Sequence, residues 1–590
     1  MTERRSFARR YPPLIWVGGA LAAVIFALPS ALNLPQANPG QTLEYAPVPG
    51  AGNSAQSGGN FVGVGLGNAG AGAGSLNLPT PPPIPPPLPG ALPSGAGLAP
   101  STKQCVGSPP RQTEDPLAPP CVAYFTGDNG GATFRGVTAN EIRTVFYLDS
   151  GTYAQSSQGA ENANPGYYDL GQPAKSGEFV ELRALRLWQQ YFNARYQTYG
   201  RRVHFVVHVA ADANSGSVED RRADAADEAK TIQPIAAIPD TDASNGNVAE
   251  YLKAVNAHGS LGFGNPISAA QDYNSSPGYL WSFRPTADER ARVLADYVCS
   301  KALPYPASFS GNPGENGKAR RFGLLTLNDP SHPEISLLAS DIETQLKRCG
   351  VQILLHQYGD NYTDSAPGDA QLAATNMANF KRQGITTIIR VLGPDFMHST
   401  AGANLGYLPE WLVADDDSAI DANLNPSALQ SQTSWSHAQM VTPRLLYGAD
   451  QVEAPCADAI RSVSAQTPTA DYGYYCYWYD QVRQYFTAIQ VAGPRLNPSN
   501  LEQGMRAIPA HPSGTPLVPA CFYDPGDFTC VKDAIAEWWD PSGIGDPGTN
   551  GCWRAVNEGR RSLYGEWSHQ DMRADRSTHD PCNTYKTTFG

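Results

Sequence analysis

From residue 136 onward the chain alternates short apolar runs with longer amphipathic ones. Residues 141–148 (EIRTVFYL) form a compact apolar stretch closed by Asp149, Ser150 and Gly151, which predicts a strand. Residues 179–196 (FVELRALRLWQQYFNARY) carry Leu182, Leu185, Trp188 and Phe192 on one face at helical spacing, which predicts a helix. The alternation continues with strands expected over 203–209, 232–238 and 261–264 and helices over 217–230 and 248–258. A second, similar series follows Gly278, with helices expected over 287–303, 335–348 and 371–383 and strands over 322–327, 351–356, 386–392 and 411–413. Alternation of this kind builds parallel sheets with helices on both faces, so the expected class is α/β with two doubly wound sheets.

Doubly wound sheets take ligands outside the carboxyl ends of their strands, which directs attention to the strand-end loops. These carry Asp149, Ser150, Asp240, Asn265, Asn328, Asp329, Asp395, Asp415 and Asp416, with Trp281, Tyr358, Phe396 and Tyr407 as nearby aromatics. If they converge, the cleft is acidic with an aromatic rim, suited to a cationic or polyhydroxylated solute. The plainer role of an Asp at a strand end is to cap the next helix or make a turn.

Other patterns suggest chemistry less well. His204 and His208 have the spacing of a metal pair on a helix, but on a strand four residues span ~13 Å, too far for one ion. The run from Asp421 to Asn425 begins like a calcium loop, yet Pro426 stands where the turn needs Gly and Gln432 where a bidentate Glu is required. His258 and His398 each lie beside a serine without forming a nucleophile elbow. No metal, cofactor or catalysis is therefore expected. Residues 471–480 (DYGYYCYWYD) open a helix whose Tyr474, Tyr477 and Trp478 read as packing residues.

The amino-terminal hundred residues differ in kind. Arg4, Arg5, Arg9 and Arg10 precede an uncharged run over 14–28 that continues less purely to Leu34, the pattern of an export signal or membrane anchor. Small residues suited to a cleavage site are hard to find there, which favours an uncleaved anchor with the remainder outside. Glu44 is the only charge between Arg10 and Lys103, and the Gly-rich stretch and the polyproline run over 79–90 make a spacer. A net charge of −13, from 42 basic and 55 acidic residues, argues against nucleic acid as a partner. The ten cysteines (Cys105, Cys121, Cys299, Cys349, Cys456, Cys476, Cys521, Cys530, Cys552 and Cys582) all follow the anchor, are even in number and include no C-x-x-C, which suggests disulfides. Sequential pairing would close five short loops, but spacing alone leaves the connectivity open.

Several segments together resemble a known family. Gly136-Val137-Thr138 through Ile142-Arg143, then Tyr191-Phe192-Asn193 and Tyr199-Gly200-Arg201, then 279–285 (YLWSFRP), then Tyr479-Asp480 and Ala492-Gly493-Pro494-Arg495-Leu496, resemble in order the type I periplasmic solute-binding proteins of the branched-chain amino acid (Leu/Ile/Val) group. The resemblance spans about 136–508. It implies a two-lobed type I periplasmic-binding-protein fold that closes over a small solute, with two doubly wound parallel sheets joined by a three-strand hinge. The implied organisation is an anchor or signal over 1–34, a spacer over 35–104, a disulfide-linked lead-in over 105–136, a first lobe over 137–283 plus 442–510, a second lobe over 284–441, and a Cys-rich extension over 511–590. It also implies a small-molecule solute and an ABC transporter permease as partners, outside the cytoplasm, and no enzyme activity. The loops at 239–242 and 264–268 lack the hydroxyl-rich character of the amino-acid binders, so an amino acid ligand is not implied. A membrane-tethered sensing ectodomain and an envelope hydrolase on the same scaffold are the other expectations.

Overall fold

A computed structural model describes residues 105–576 except 107–109, 149–150, 157–158, 212–216, 241–246, 265, 267, 331, 360–366, 393–395, 415–429, 444–453, 512–517 and 545–549. The anchor, the spacer and the calcium-like loop at 421–426 lie outside the described residues.

The first lobe is built on β1 (Glu141–Leu148), β4 (Gly166–Asp169), β5 (Arg202–Val209), β6 (Ala236–Pro239), β7 (Leu261–Phe263) and β8 (Leu280–Trp281), in the order β4-β5-β1-β6-β7-β8. All neighbours are parallel except β4, which runs antiparallel along the outer edge of β5. A separate hairpin, β2 (Gly151–Ser156) and β3 (Gly159–Ala163), is inserted after β1. The helices are α1 (Val180–Arg195), α2 (Val218–Thr231), α3 (Val248–Ala257) and α4 (Ala270–Ser275).

Side-chain alternation shows helices on both faces. Phe146 and Phe205 touch Trp478 and Phe486 on one side, whereas Tyr147 stacks on Tyr251 and His208 bonds Glu228 on the other. A strand buried on both faces has no polar face to spare, which is why these strands read as continuous apolar runs.

The second sheet has the order β10-β9-β11-β12-β13-β14-β15, with β16 paired to β14. Its parallel part comprises β9 (Phe322–Leu327), β10 (Ile353–Gly359), β11 (Thr387–Val391), β12 (Glu410–Val413) and β13 (Ala438–Thr442). Packed with it are α5 (Ala287–Tyr297, prolonged by a π-turn to Ala302), α6 (Pro333–Arg348), α7 (Pro367–Arg382), α8 (Met397–Asn404) and α9 (Gln432–Trp435). His356 reaches Glu343 of α6 while its neighbour Gln357 accepts from Asn379 of α7, so this sheet too is covered on both faces. The α/β class with two doubly wound sheets is thus the observed architecture.

The chain then returns to the first lobe through α10 (Ala454–Val463), α11 (Tyr472–Ala492) and α12 (Pro498–Arg506). Trp478, Tyr485 and Phe486 of α11 are fully buried in the first core. The stretch expected to be a C-terminal extension supplies β14 (Asp533–Ile544), β15 (Asn550–Ala555), β16 (Ser562–Leu563) and α13 (Met572–Asp575); β14 joins the second sheet antiparallel to β13, and β15 and β16 each pair antiparallel with β14. Trp553 is buried there between Trp435 and Trp539, because a strand added to an apolar sheet brings its inward face into the existing core.

Three chain passages therefore connect the sheets. The first, after Trp281, pairs in parallel with the third: Ser282 donates to the Phe528 carbonyl at 3.0 Å and Val531 to that of Phe283 at 3.1 Å. Glu289, Asp527, Thr529 and Lys532 close around this pair with hydrogen bonds and ion pairs. The second passage lies at 444–453, outside the described residues.

Four disulfides join Cys105 to Cys121, Cys299 to Cys349, Cys456 to Cys476 and Cys521 to Cys530, sequential in each case. Cys552 is disulfide-bonded as well, and Cys582 lies outside the described residues.

Candidate functional site

The polarity of the helices locates the site. In α1, Asn193 bonds Val203 at the start of β5 and Gln189 bonds Phe205 further along, so the helix runs antiparallel to β5 and its first turn lies at the carboxyl end of the sheet. The first turns of α11 lie at that same end, since Trp188 donates to the Tyr475 carbonyl at 2.8 Å and Arg183 lies 3.6 Å from Asp471. The first passage leaves from the carboxyl end of β8, so this face borders the hinge.

Here the structure assembles a carboxylate-rich cluster. Asp240, the residue after β6, is buried, is held to the β1 end by its amide on the Tyr147 carbonyl at 2.7 Å, and accepts from the Tyr477 hydroxyl at 2.5 Å. Glu161 of β3 caps α1, accepting from the Val180 amide at 2.6 Å and from Arg183 at 2.9 Å. Glu181, in the first turn of α1, is 4% exposed, and its Oε2 is buried with no hydrogen-bond partner. Burial first, then the charges of Asp240 and Glu161, push its carboxyl up to about 8. A buried oxygen left without a partner costs about 1–3 kcal/mol, and in the same cluster one terminal nitrogen of Arg183 is likewise buried without a hydrogen-bond partner.

The expected residues fare differently. Asp240 is in the cluster. Asp329 follows β9 at the carboxyl end of the second sheet, half-buried, with its carbonyl accepting the His332 amide at 3.0 Å. Tyr358 is at the carboxyl end of β10 and 47% exposed, available to a rim. Asp149, Ser150, Asn265, Asp395 and Asp415 lie outside the described residues.

Trp281 is a correction. It is fully buried in the first core, its indole N–H is spent on the Gly278 carbonyl at 2.8 Å, and its faces are taken by Tyr523 and Phe528. The cause is the third passage, which packs over the first and closes that edge of β8. Tyr407 is likewise buried, bonding the Ile385 carbonyl at the amino end of β11. Tyr477, expected to be a packing residue, spends its hydroxyl on Asp240.

Glu181 was not singled out from the sequence. Its signal was present: at positions i, i+4 and i+7 with Leu185 and Trp188 it falls on the apolar stripe of α1, where a carboxylate is out of place. An open groove of about 640 Å³, lined in part by Gly171, Arg186, Asn193 and Arg202, lies at the opposite, amino end of β5. Among the described residues no group of three or more His, Cys, Asp or Glu could hold a metal ion, and no helix is long and apolar enough to cross a membrane.

No family model matches the chain, and no curated protein does. Solved structures with a similar fold include an ABC transporter substrate-binding protein from Desulfitobacterium hafniense (14% identity, TM-score 0.43, covering 71% of this chain and 100% of that one). Others are a solute-binding protein of an ABC transporter from R. palustris in complex with 4-hydroxybenzoate (10% identity, TM-score 0.48, 72% and 98%) and a leucine-, isoleucine-, valine-, threonine- and alanine-binding protein from Brucella ovis in a closed conformation (11% identity, TM-score 0.48, 73% and 98%).

Proposed function

We propose that this chain is an extracytoplasmic solute-binding protein that closes its two lobes over a small polar solute and delivers it to the permease of an ABC transporter. The observation that carries the reading is the pair of doubly wound sheets joined by three passages, with the buried carboxyls of Glu181 and Asp240 and the half-buried Tyr477 hydroxyl at the carboxyl end of the first sheet, beside the hinge. Open α/β sheets bind ligands at that end. Pairing of the first and third passages gives the lobes a common pivot. The segment over 14–34 would hold the protein at the membrane and the Pro/Gly-rich spacer would set the lobes away from it.

The test is a thermal-shift screen of the full chain, purified in detergent, against amino acids, polyamines, sugars and aromatic acids. One chemical class should raise the melting temperature in a concentration-dependent way, because a ligand that binds only the folded state stabilises it by linkage. Silence across the panel would overturn the reading.

A further inference from the structure

We propose that Glu181, together with Asp240, receives a cationic nitrogen of the solute, a primary amine or a guanidinium. The inference rests on the solute-binding reading and names the chemical class of its ligand.

Three observations lead there. Glu181 Oε2 is buried without a partner, and a cation would supply the missing hydrogen bond in charge-assisted form. The groups around it are acidic: Asp240 from the end of β6 and Glu161 from β3 both act on its carboxyl. The cation nearest in sequence, Arg183, hydrogen-bonds Glu161 at 2.9 Å through one terminal nitrogen, while the other lies 3.6 Å from Asp471 without a hydrogen bond. A ligand carboxylate placed here would face three acidic side chains. The amino terminus of α1, which would favour an anion, is answered by the Glu161 carboxylate on the Val180 amide, and Arg183 is a single cation against the carboxyls of Glu161, Glu181, Asp240 and Asp471.

The proton inventory follows. With the site empty, Glu181 holds its proton at neutral pH, because burial and the neighbouring carboxylates raise its carboxyl to about 8. A bound cation favours the carboxylate, so the proton leaves for solvent and an ion pair replaces a neutral acid. Affinity for a cation should then rise about tenfold per unit as pH increases towards 8 and level off above it. The charged groups that face Glu181 are Asp240, Glu161 and Arg183.

The experiment is calorimetric titration of the full chain in detergent with putrescine, agmatine and spermidine, alongside leucine, glucose and benzoate, at pH 6, 7 and 8. At least one of the three cations should bind, with affinity rising with pH. Repeating the titration in two buffers of different ionisation enthalpy should show release of about one proton, a readout that needs no variant. Glu181→Gln should weaken that cation at least about tenfold and abolish the pH dependence. Binding of leucine, glucose or benzoate with no response to any cation would overturn the inference and leave the solute-binding reading intact. A cation that binds Glu181→Gln as tightly as the original chain, or without proton release, would overturn it too. No response to any of the six would overturn both.

Discussion

Two buried glutamates, one in each lobe, show what separates a structural carboxylate from a poised one. Glu410 of β12 is wholly buried and fully satisfied: Arg320 bonds it at 2.8 Å, the Ser308 and Phe309 amides at 2.7 and 3.1 Å, and the Thr387 hydroxyl at 2.8 Å. Glu181 is nearly as buried but keeps one oxygen without a partner, among other acids. Glu410 has a cation and enough donors to satisfy its oxygens and joins β12 to the loop before β9, whereas Glu181, with one oxygen unmet, has its carboxyl pushed up by burial to about 8. Burial alone therefore does not make the two carboxyls equivalent; the count of satisfied lone pairs separates them.

The contrast can be broken most forcefully at Glu410. Arg320→Ala strands a buried carboxylate and should cost about 3–5 kcal/mol in denaturant unfolding followed by tryptophan fluorescence. A loss below 1 kcal/mol would mean that the cluster is not structural.

A smaller effect should appear in the pH dependence. Glu181 and Glu537 are both raised from 4.5 to about 8, each chiefly by burial, with Arg561 opposing the shift at Glu537. The folded protein then binds more protons than the unfolded one between about pH 4.5 and 8, so stability should fall as pH rises through that window, by up to about 1.4 kcal/mol per unit for each group. Glu181→Gln should remove its share of the slope, which unfolding midpoints at pH 5, 6.5 and 8 would reveal. Parallel profiles for the two chains would place Glu181 in the same category as Glu410.

The smallest effect expected is at Tyr477→Phe, which deletes the hydroxyl on Asp240 and should cost about 0.5–1.5 kcal/mol in melting experiments. No change would mean that Asp240 finds another donor.

Much of the scaffold was legible because both periodicities are strong. The strands over 141–148 and 322–327 appear with the expected bounds. The strand expected over 232–238 begins only at Ala236, because Ile232 still closes α2 by donating to the Glu228 carbonyl. The β2–β3 hairpin escaped notice, since GTYAQS and GAENA are small and polar with no apolar alternation. Strands β14 to β16 escaped for a different reason: an edge strand added from distant sequence gains its burial from the sheet it joins, which local pattern does not record.

The site was legible in part. Strand-end logic pointed to Asp240, which lies in the carboxylate cluster, and to Trp281, which is buried because residues 521–531 cover it and nothing in its neighbourhood announces that. Glu181 was hidden by the strength of the helix around it.

The splitting of the second lobe around the first has a consequence during synthesis. Strand β13 ends at Thr442, and the strand that covers its edge begins only at Asp533. Roughly ninety residues separate them, so at ~5–20 residues per second the nascent chain carries an unpaired apolar edge for about 5–20 s. Throughout that interval the ribosome-bound protein displays a template for pairing with other chains, and its vulnerability to aggregation is set by the order of translation.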